Sequence, residues 1–328
     1  MKIYNDADAD LDLLKGKRIS ILGYGSQGRA QALCFRDSGL DVIIGVREGK
    51  SFEKAKADGM EVMSVVDAVK DADIIMMLLP DEAQADIYAR EIAPNMKKGC
   101  VLEFAHGFAI TYDLIHPPND SDVIMMAPKG PGPMIRRVYE SGYGVPALIC
   151  IHQDVSSKAK DLALALAKAM NCTKPGVFEA TFPQETMTDL FGEQAVLCGG
   201  YTAMIKMAFE TLVKRGFPPE MAYFEVLHET KLVTDLVVEK GIEGMWKNVS
   251  NTAEYGGLTR RDRVITEESR KGMESILDDI QSGKFAKEWV EEYHNNLKNM
   301  KAMQDADGQE EIEKVGGWVR ETFFGRRE

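Results

Sequence analysis

The chain has 328 residues, 45% of them hydrophobic and 28% charged, which suits a globular protein with more than one core. Its formal net charge of −12 argues against nucleic acid or an anionic membrane as the main partner. Five scattered cysteines (Cys34, Cys100, Cys150, Cys172, Cys198) lack CxxC spacing, which argues against a disulfide framework or a zinc site and for a reducing compartment. The acidic opening MKIYNDADADLDLL has no apolar signal region, and the longest apolar run, 74–79, is far too short to span a bilayer. A cytoplasmic, membrane-free protein is expected.

Residues 18–22, RISIL, read as a buried strand that runs straight into Gly23-Tyr24-Gly25-Ser26-Gln27-Gly28. A helix-compatible segment follows, closed by Gly39, and then a second strand over 41–45. A strand, GxGxxG, a helix and another strand in such close succession is a specific signal for dinucleotide binding. The glycines permit a tight turn, and the helix N-terminus offers N–H groups to a pyrophosphate. The next loop, Val46-Arg47-Glu48-Gly49-Lys50-Ser51, mixes a carboxylate suited to the ribose hydroxyls of NAD with Arg, Lys and Ser suited to a 2′-phosphate. These residues by themselves leave NADH and NADPH both open.

The alternation continues with helices over 51–58 and 65–70, a strand over 74–79, and a helix opened by Pro80-Asp81-Glu82-Ala83-Gln84. Strands over 101–104, 123–127 and 147–151 and a helix over 155–170 complete a doubly wound, largely parallel sheet. Ligands of such sheets bind beyond the carboxyl ends of the strands. Two titratable residues fall at such ends: His106 in EFAHGF and Lys129 in APKGPGP, beside the Gly- and Pro-rich loop 130–133. The plain alternative for each is a loop residue bonded to local backbone. His116 and His152 read as structural or solvated.

After Phe182-Pro183 the strand signals stop, which divides the chain into 1–182 and 183–328. Helices are expected over 184–197, 199–215, 219–240, 267–281, 284–304 and 309–321, with a polar linker over 247–263 and a frayed GRRE terminus. Two of these helices carry an oddity. Asp189 and Glu193 stand four apart, as do Glu225 and Glu229, and each pair shares a helical face with apolar residues: Val196, Gly200 and Met204 in one case, Met221, Leu232 and Leu236 in the other. The expectation is therefore a mostly dry face, where an unpaired carboxylate is costly. No Lys or Arg sits four away to neutralise either pair, and carboxylate oxygens suit hard divalent cations such as Mg²⁺ or Mn²⁺. The plain alternative is two amphipathic helices with partly solvated acids.

GYGSQG at 23–28, LLPDEAQ at 78–84, EFAHGF at 103–108, APKGPGP at 127–133, DLFGEQAVLCGG at 189–200, FEVLHETKLVTDL at 224–236 and SNTAEYG at 250–256 run in collinear order over nearly the whole chain. Together they resemble ketol-acid reductoisomerase in its short-chain form. The resemblance implies an α/β Rossmann-like domain followed by an all-α, knotted domain that pairs with a second subunit. The partner expected is another copy of the chain, in a homodimer or a larger assembly with sites shared between subunits. It implies a Mg²⁺-dependent alkyl migration of 2-acetolactate or 2-aceto-2-hydroxybutyrate, then reduction by a nicotinamide to a 2,3-dihydroxy acid of valine and isoleucine biosynthesis. By the same resemblance two Mg²⁺ ions fall to Asp189, Glu193, Glu225 and Glu229, a proton relay to Glu229 with His106 and Lys129 assisting, and substrate binding to Ser250. Gly23, Tyr24, Gly25, Ser26, Gln27, Gly28, Arg47, Glu48, Lys50, Ser51, Asp81, Glu82, Ala83, Gln84 and Gly132 would line the dinucleotide.

Two departures stand out. The 46–52 loop is one residue shorter than the common NADPH-using pattern and carries Glu48, so substantial NADH use is expected. The segment LTRRDR at 258–263 is more basic than its usual counterpart. A metal-free two-domain hydroxyacid dehydrogenase would share the dinucleotide fold but leaves the acid pairs unexplained. A non-catalytic NAD(H) sensor would not need titratable residues at several strand ends.

Overall fold

The structure, a computed structural model, describes residues 2–325, so the fraying expected at the chain terminus lies outside the described residues. The chain forms two compact units, Met1–Thr188 and Asp189–Glu328. The division falls inside helix α8 (Phe182–Phe191) and not ahead of it.

The first unit is built on a nine-stranded sheet: β1 (Ile3–Tyr4), β2 (Arg18–Leu22), β3 (Asp41–Gly45), β4 (Glu61–Met63), β5 (Ile74–Met77), β6 (Val101–Phe104), β7 (Val123–Pro128), β8 (Ala147–Gln153) and β9 (Val177–Ala180). Their order is β1-β9-β8-β7-β6-β5-β2-β3-β4. Only the β1–β9 and β7–β8 pairs are antiparallel. Strands β5, β6 and β7 are buried along their whole length, as strands of a sheet covered on both faces should be, and β6 buries Glu103 among its apolar residues. Helices α1 (Ser26–Asp37), α2 (Lys50–Ala57), α3 (Val65–Lys70), α4 (Asp81–Ile87), α5 (Phe108–Thr111), α6 (Gly132–Glu140) and α7 (Ala159–Ala169) belong to this unit. Helix α7 starts later than expected. Asp122 accepts the Val155 amide at 2.7 Å, the Ser156 amide at 3.0 Å and the Ser156 hydroxyl at 2.6 Å, which holds that stretch as a loop. The glycine turn follows β2, whose neighbours are β3 on one side and β5 on the other. That is the point where the winding reverses and where open α/β sheets bind ligands.

The second unit is helical: α9 (Gly199–Lys214), α10 (Pro219–Tyr223), α11 (Glu229–Trp246), α12 (Asn251–Arg260), α13 (Glu267–Gln281), α14 (Lys284–His294), α15 (Lys298–Gly308) and α16 (Glu311–Phe324). A small core joins Ile205, Phe209, Ala222, Tyr223, Ile312 and Val319. Two π-helical turns, Gly192–Leu197 and Phe224–His228, join α8 to α9 and α10 to α11. The expected linker over 247–263 is instead mostly helix α12, because the Ser250 side chain caps it by accepting the Ala253 amide at 3.2 Å. The single helix expected over 284–304 is broken where Asn296 and Leu297 take φ of 61° and 57°. Glu292 then caps α15 by accepting the Asn299 and Met300 amides.

Candidate active site

At the end of β2 the glycine turn is pinned by close approach. A methyl group at Gly23 would stand 2.3 Å from the Leu78 carbonyl oxygen, and one at Gly28 would stand 2.4 Å from that of Gly23. Gln27 donates to the Gly130 carbonyl at 3.0 Å, and a methyl at Gly132 would meet the Ser26 carbonyl oxygen at 2.1 Å. The turn and the loop after Lys129 are therefore one packed unit. The Tyr24 ring is buried and its hydroxyl donates to Asp58 at 2.9 Å, beside the two-bond grip of Arg29 on the same carboxylate. Burial first, and the hydrogen bond to Asp58 second, push the Tyr24 phenol well above its ordinary range.

The loop after β3 leaves Arg47, Glu48, Gly49 and Lys50 exposed, and Lys50 and Ser51 open α2. Two residues expected to line the dinucleotide lie deeper than that role suggests. Ala83 and Gln84 are buried, and Gln84 spends its amide on the Leu79 carbonyl and the Asp81 carboxylate, both at 3.0 Å. It fixes the turn that leads into Asp81 and Glu82 at the start of α4.

His106 and Lys129 come from different strand ends to one anchor that the sequence reading missed. The Glu185 side chain, 1% exposed, accepts from the Lys129 ammonium at 3.1 Å, stands 3.0 Å from the His106 Nδ1, and accepts the Gly107 amide at 3.1 Å. Burial works against its charge, but His106 and Lys129 outweigh it and hold the carboxyl below its ordinary range. A signal was available: Glu185, Asp189 and Glu193 continue one i, i+4 series. His116 stands 3.2 Å from Asp113 in an exposed turn, and His152 packs edge-on against Phe182.

One turn after Glu185 on α8 stands Asp189, with Glu193 in the π-turn beyond it. Glu225 lies in the second π-turn and Glu229 opens α11. The faces expected to be dry are open in the single chain: Val196, Met204, Met221 and Leu232 are exposed, as are Glu193, Glu225 and Glu229. These helices turn apolar residues outward because the small core of the unit needs only one side of them. Among the described residues the two pairs do not meet in one cluster of ligand-spaced atoms within the chain, and Glu225 and Glu229 form no ion pair. An exposed, oxygen-only donor set fits hard divalent cations. The Ser250 hydroxyl oxygen caps α12 and keeps its proton available for a further bond.

Two family models match the chain: "Acetohydroxy acid isomeroreductase, NADPH-binding domain" over residues 13–176 and "Ketol-acid reductoisomerase, C-terminal domain" over residues 182–324. A ketol-acid reductoisomerase (NADP(+)) of Methanococcus maripaludis is 53% identical over 98% of this chain and 97% of its own length. One from Methanocaldococcus jannaschii is 52% identical over the same shares. The solved structure of an NADH-preferring ketol-acid reductoisomerase from an uncultured archaeon superposes with a TM-score of 0.96, at 46% identity, over 99% of this chain and all of that one. A semialdehyde dehydrogenase NAD-binding protein from Cupriavidus necator shares the fold alone, with a TM-score of 0.63 at 20% identity. With both domains matched in order and the relatives covered end to end, the chain belongs to the ketol-acid reductoisomerase family.

Proposed function

We propose that this protein converts a small 2-hydroxy-2-alkyl-3-keto acid, 2-acetolactate or 2-aceto-2-hydroxybutyrate, into a 2,3-dihydroxy acid by alkyl migration followed by reduction, as a cytoplasmic enzyme of branched-chain amino-acid synthesis. The observation that carries the reading is the convergence of His106 and Lys129 on buried Glu185, at the carboxyl edge of a dinucleotide-type sheet, on the helix that also bears Asp189. Asp189, Glu193, Glu225 and Glu229 would hold two Mg²⁺, which when bound stabilise charge on adjacent substrate oxygens, as the nicotinamide supplies hydride. The chain's own residues do the rest. The amides of the Gly23–Gly28 turn and the start of α1 bind the pyrophosphate. Glu185 fixes the His106 ring and the Lys129 ammonium in place, Glu229 carries a proton on its carboxylate, and the Ser250 hydroxyl binds substrate.

A second copy of the chain is the partner this reading requires. Among the described residues the two acid pairs form no single cluster of ligand-spaced atoms, and the helical unit exposes Leu197, Val238 and Ile242 as well as the residues above. The helical stretch Phe182–Lys214 is long and apolar enough to cross a membrane by length and composition. Glu185 and Asp189 in its opening turns, and Glu193 after them, favour a protein partner over lipid for it.

The deciding assay follows oxidation of NADH and of NADPH with 2-acetolactate. Turnover is expected to require Mg²⁺, to vanish in EDTA and to return when Mg²⁺ is restored; activity indifferent to EDTA would point to a metal-free dehydrogenase and end this reading. Because exposed Glu48 is available to the ribose hydroxyls beside Arg47 and Lys50, kcat/KM with NADH is expected within about tenfold of that with NADPH, a difference of about 1.4 kcal/mol or less. A much larger advantage for NADPH would overturn the cofactor assignment alone.

A further inference from the structure

The helix that bears Asp189 continues into α9 through the π-turn Gly192–Leu197, and the Cys198 amide closes that turn by donating to the Glu193 carbonyl, five residues back, at 2.9 Å. Cys198 itself sits at φ −112°, ψ −56°, well off the regular helix. Two glycines follow directly. A methyl at Gly199 would stand 2.2 Å from the Gln194 carbonyl oxygen, and one at Gly200 would stand 2.1 Å from that of Ala195. Both obstacles are backbone atoms of the π-turn, so no side chain swings aside to make room.

A π-turn inserts one residue into the helix, and so rotates everything after it by about 100° relative to an unbroken α-helix. That rotation separates two demands on one rod. Beyond the turn, Ile205 and Phe209 of α9 are buried in the core of the helical unit. Asp189 ahead of it and Glu193 within it face in a direction which that core does not dictate. The other acidic helix repeats the device, with Glu225 inside the π-turn Phe224–His228 and Glu229 just after it.

We infer that Gly199 and Gly200 are positioning residues for divalent-cation binding: the absence of their side chains allows the π-turn that aims Glu193 and Asp189 while α9 stays anchored. This rests on the reading of those acids as cation ligands. A side chain at either glycine forces the turn toward regular α-helix. Ile205 and Phe209 hold α9 and buried Glu185 holds the start of α8, so the change falls on the stretch between them, which carries Asp189 and Glu193.

The test is a Mn²⁺ titration, by electron paramagnetic resonance, of the full-length protein and of its Gly199→Ala, Gly200→Ala and Gly317→Ala variants. Gly317 has no atom within 4 Å of an added methyl and serves as the control. We expect both π-turn variants to bind Mn²⁺ at least tenfold more weakly, with unchanged circular dichroism and elution volume, and Gly317→Ala to match the parent. Parent-like affinity in Gly199→Ala and Gly200→Ala sinks the inference, whereas a parent protein that binds no Mn²⁺ sinks the ligand assignment beneath it. Should the variants not fold, hydrogen exchange in the parent decides. Exchange at the Cys198 amide is expected to slow along the Mn²⁺ or Mg²⁺ binding curve, and an amide that ignores the cation overturns the proposal.

Discussion

Exchange of Glu185 for glutamine is expected to lower kcat/KM for 2-acetolactate by a factor of about 10² to 10³, the usual range for removing one well-placed charge from a reacting centre. Glutamine keeps the shape and can still accept the Gly107 amide, but it cannot balance the Lys129 ammonium or polarise His106. Two groups from different strands would then lose the object that fixes their separation. Stability should fall as well, by about a few kcal/mol, because removing one member of a buried ion group leaves the others uncompensated. The pH dependence gives this loss a signature. The carboxyl of Glu185 is held below its ordinary value in the folded state, so the stability it contributes is present above the unfolded carboxyl pKa. That contribution disappears as pH falls through the lower, folded value. Melting curves of parent and variant should therefore differ at pH 7 and draw together in acid. A Glu185→Gln enzyme with full activity would remove the residue from the site.

Glu103 should behave in the opposite sense. It lies in β6, fully buried, with one oxygen accepting the Met126 amide at 3.1 Å and the other meeting no donor. Burial pushes its carboxyl up to about 8. Because the folded pKa is the higher one, the folded state takes up the proton more readily, and stability falls as pH rises from the unfolded value toward about 8. Glu103→Gln, neutral at every pH, is therefore expected to be more stable than the parent at pH 8.5, by up to about 5 kcal/mol at 1.36 kcal/mol per unit. The advantage should shrink toward nothing near pH 4.5, where parent and variant are both neutral. Denaturant midpoints at pH 5, 7 and 8.5 check this, and parallel curves for the two proteins would refute it. The two predictions separate two buried glutamates of one sheet domain: Glu185 is charged because cations surround it, and Glu103 is a neutral acid because nothing does.

Much of the first unit was legible because its signals are local. An apolar run such as 74–77 has few options other than a covered strand, and Gly23 and Gly28 of the turn after such a strand stand where a side chain would strike backbone. Helix α13 spans the expected 267–281, opened by a capping box at Thr266. Over 247–263 a polar composition hides helix α12. A capped helix with little to bury looks like a loop in composition.

What the chain alone determined is thus the alternation of strands and helices, the dinucleotide turn, and the residues that carry charge at strand ends and on two helices. Only the tertiary structure decided which of them belong together. Glu185 is 79 residues from His106 and 56 from Lys129, and its buried state arises from packing that no local pattern encodes. The π-turn between α8 and α9, too, answers a conflict between the helix face that buries Glu185 and the face that buries Ile205 and Phe209. Such a conflict exists only once the helix has neighbours, since local sequence sets what a segment prefers and packing sets what it must give up.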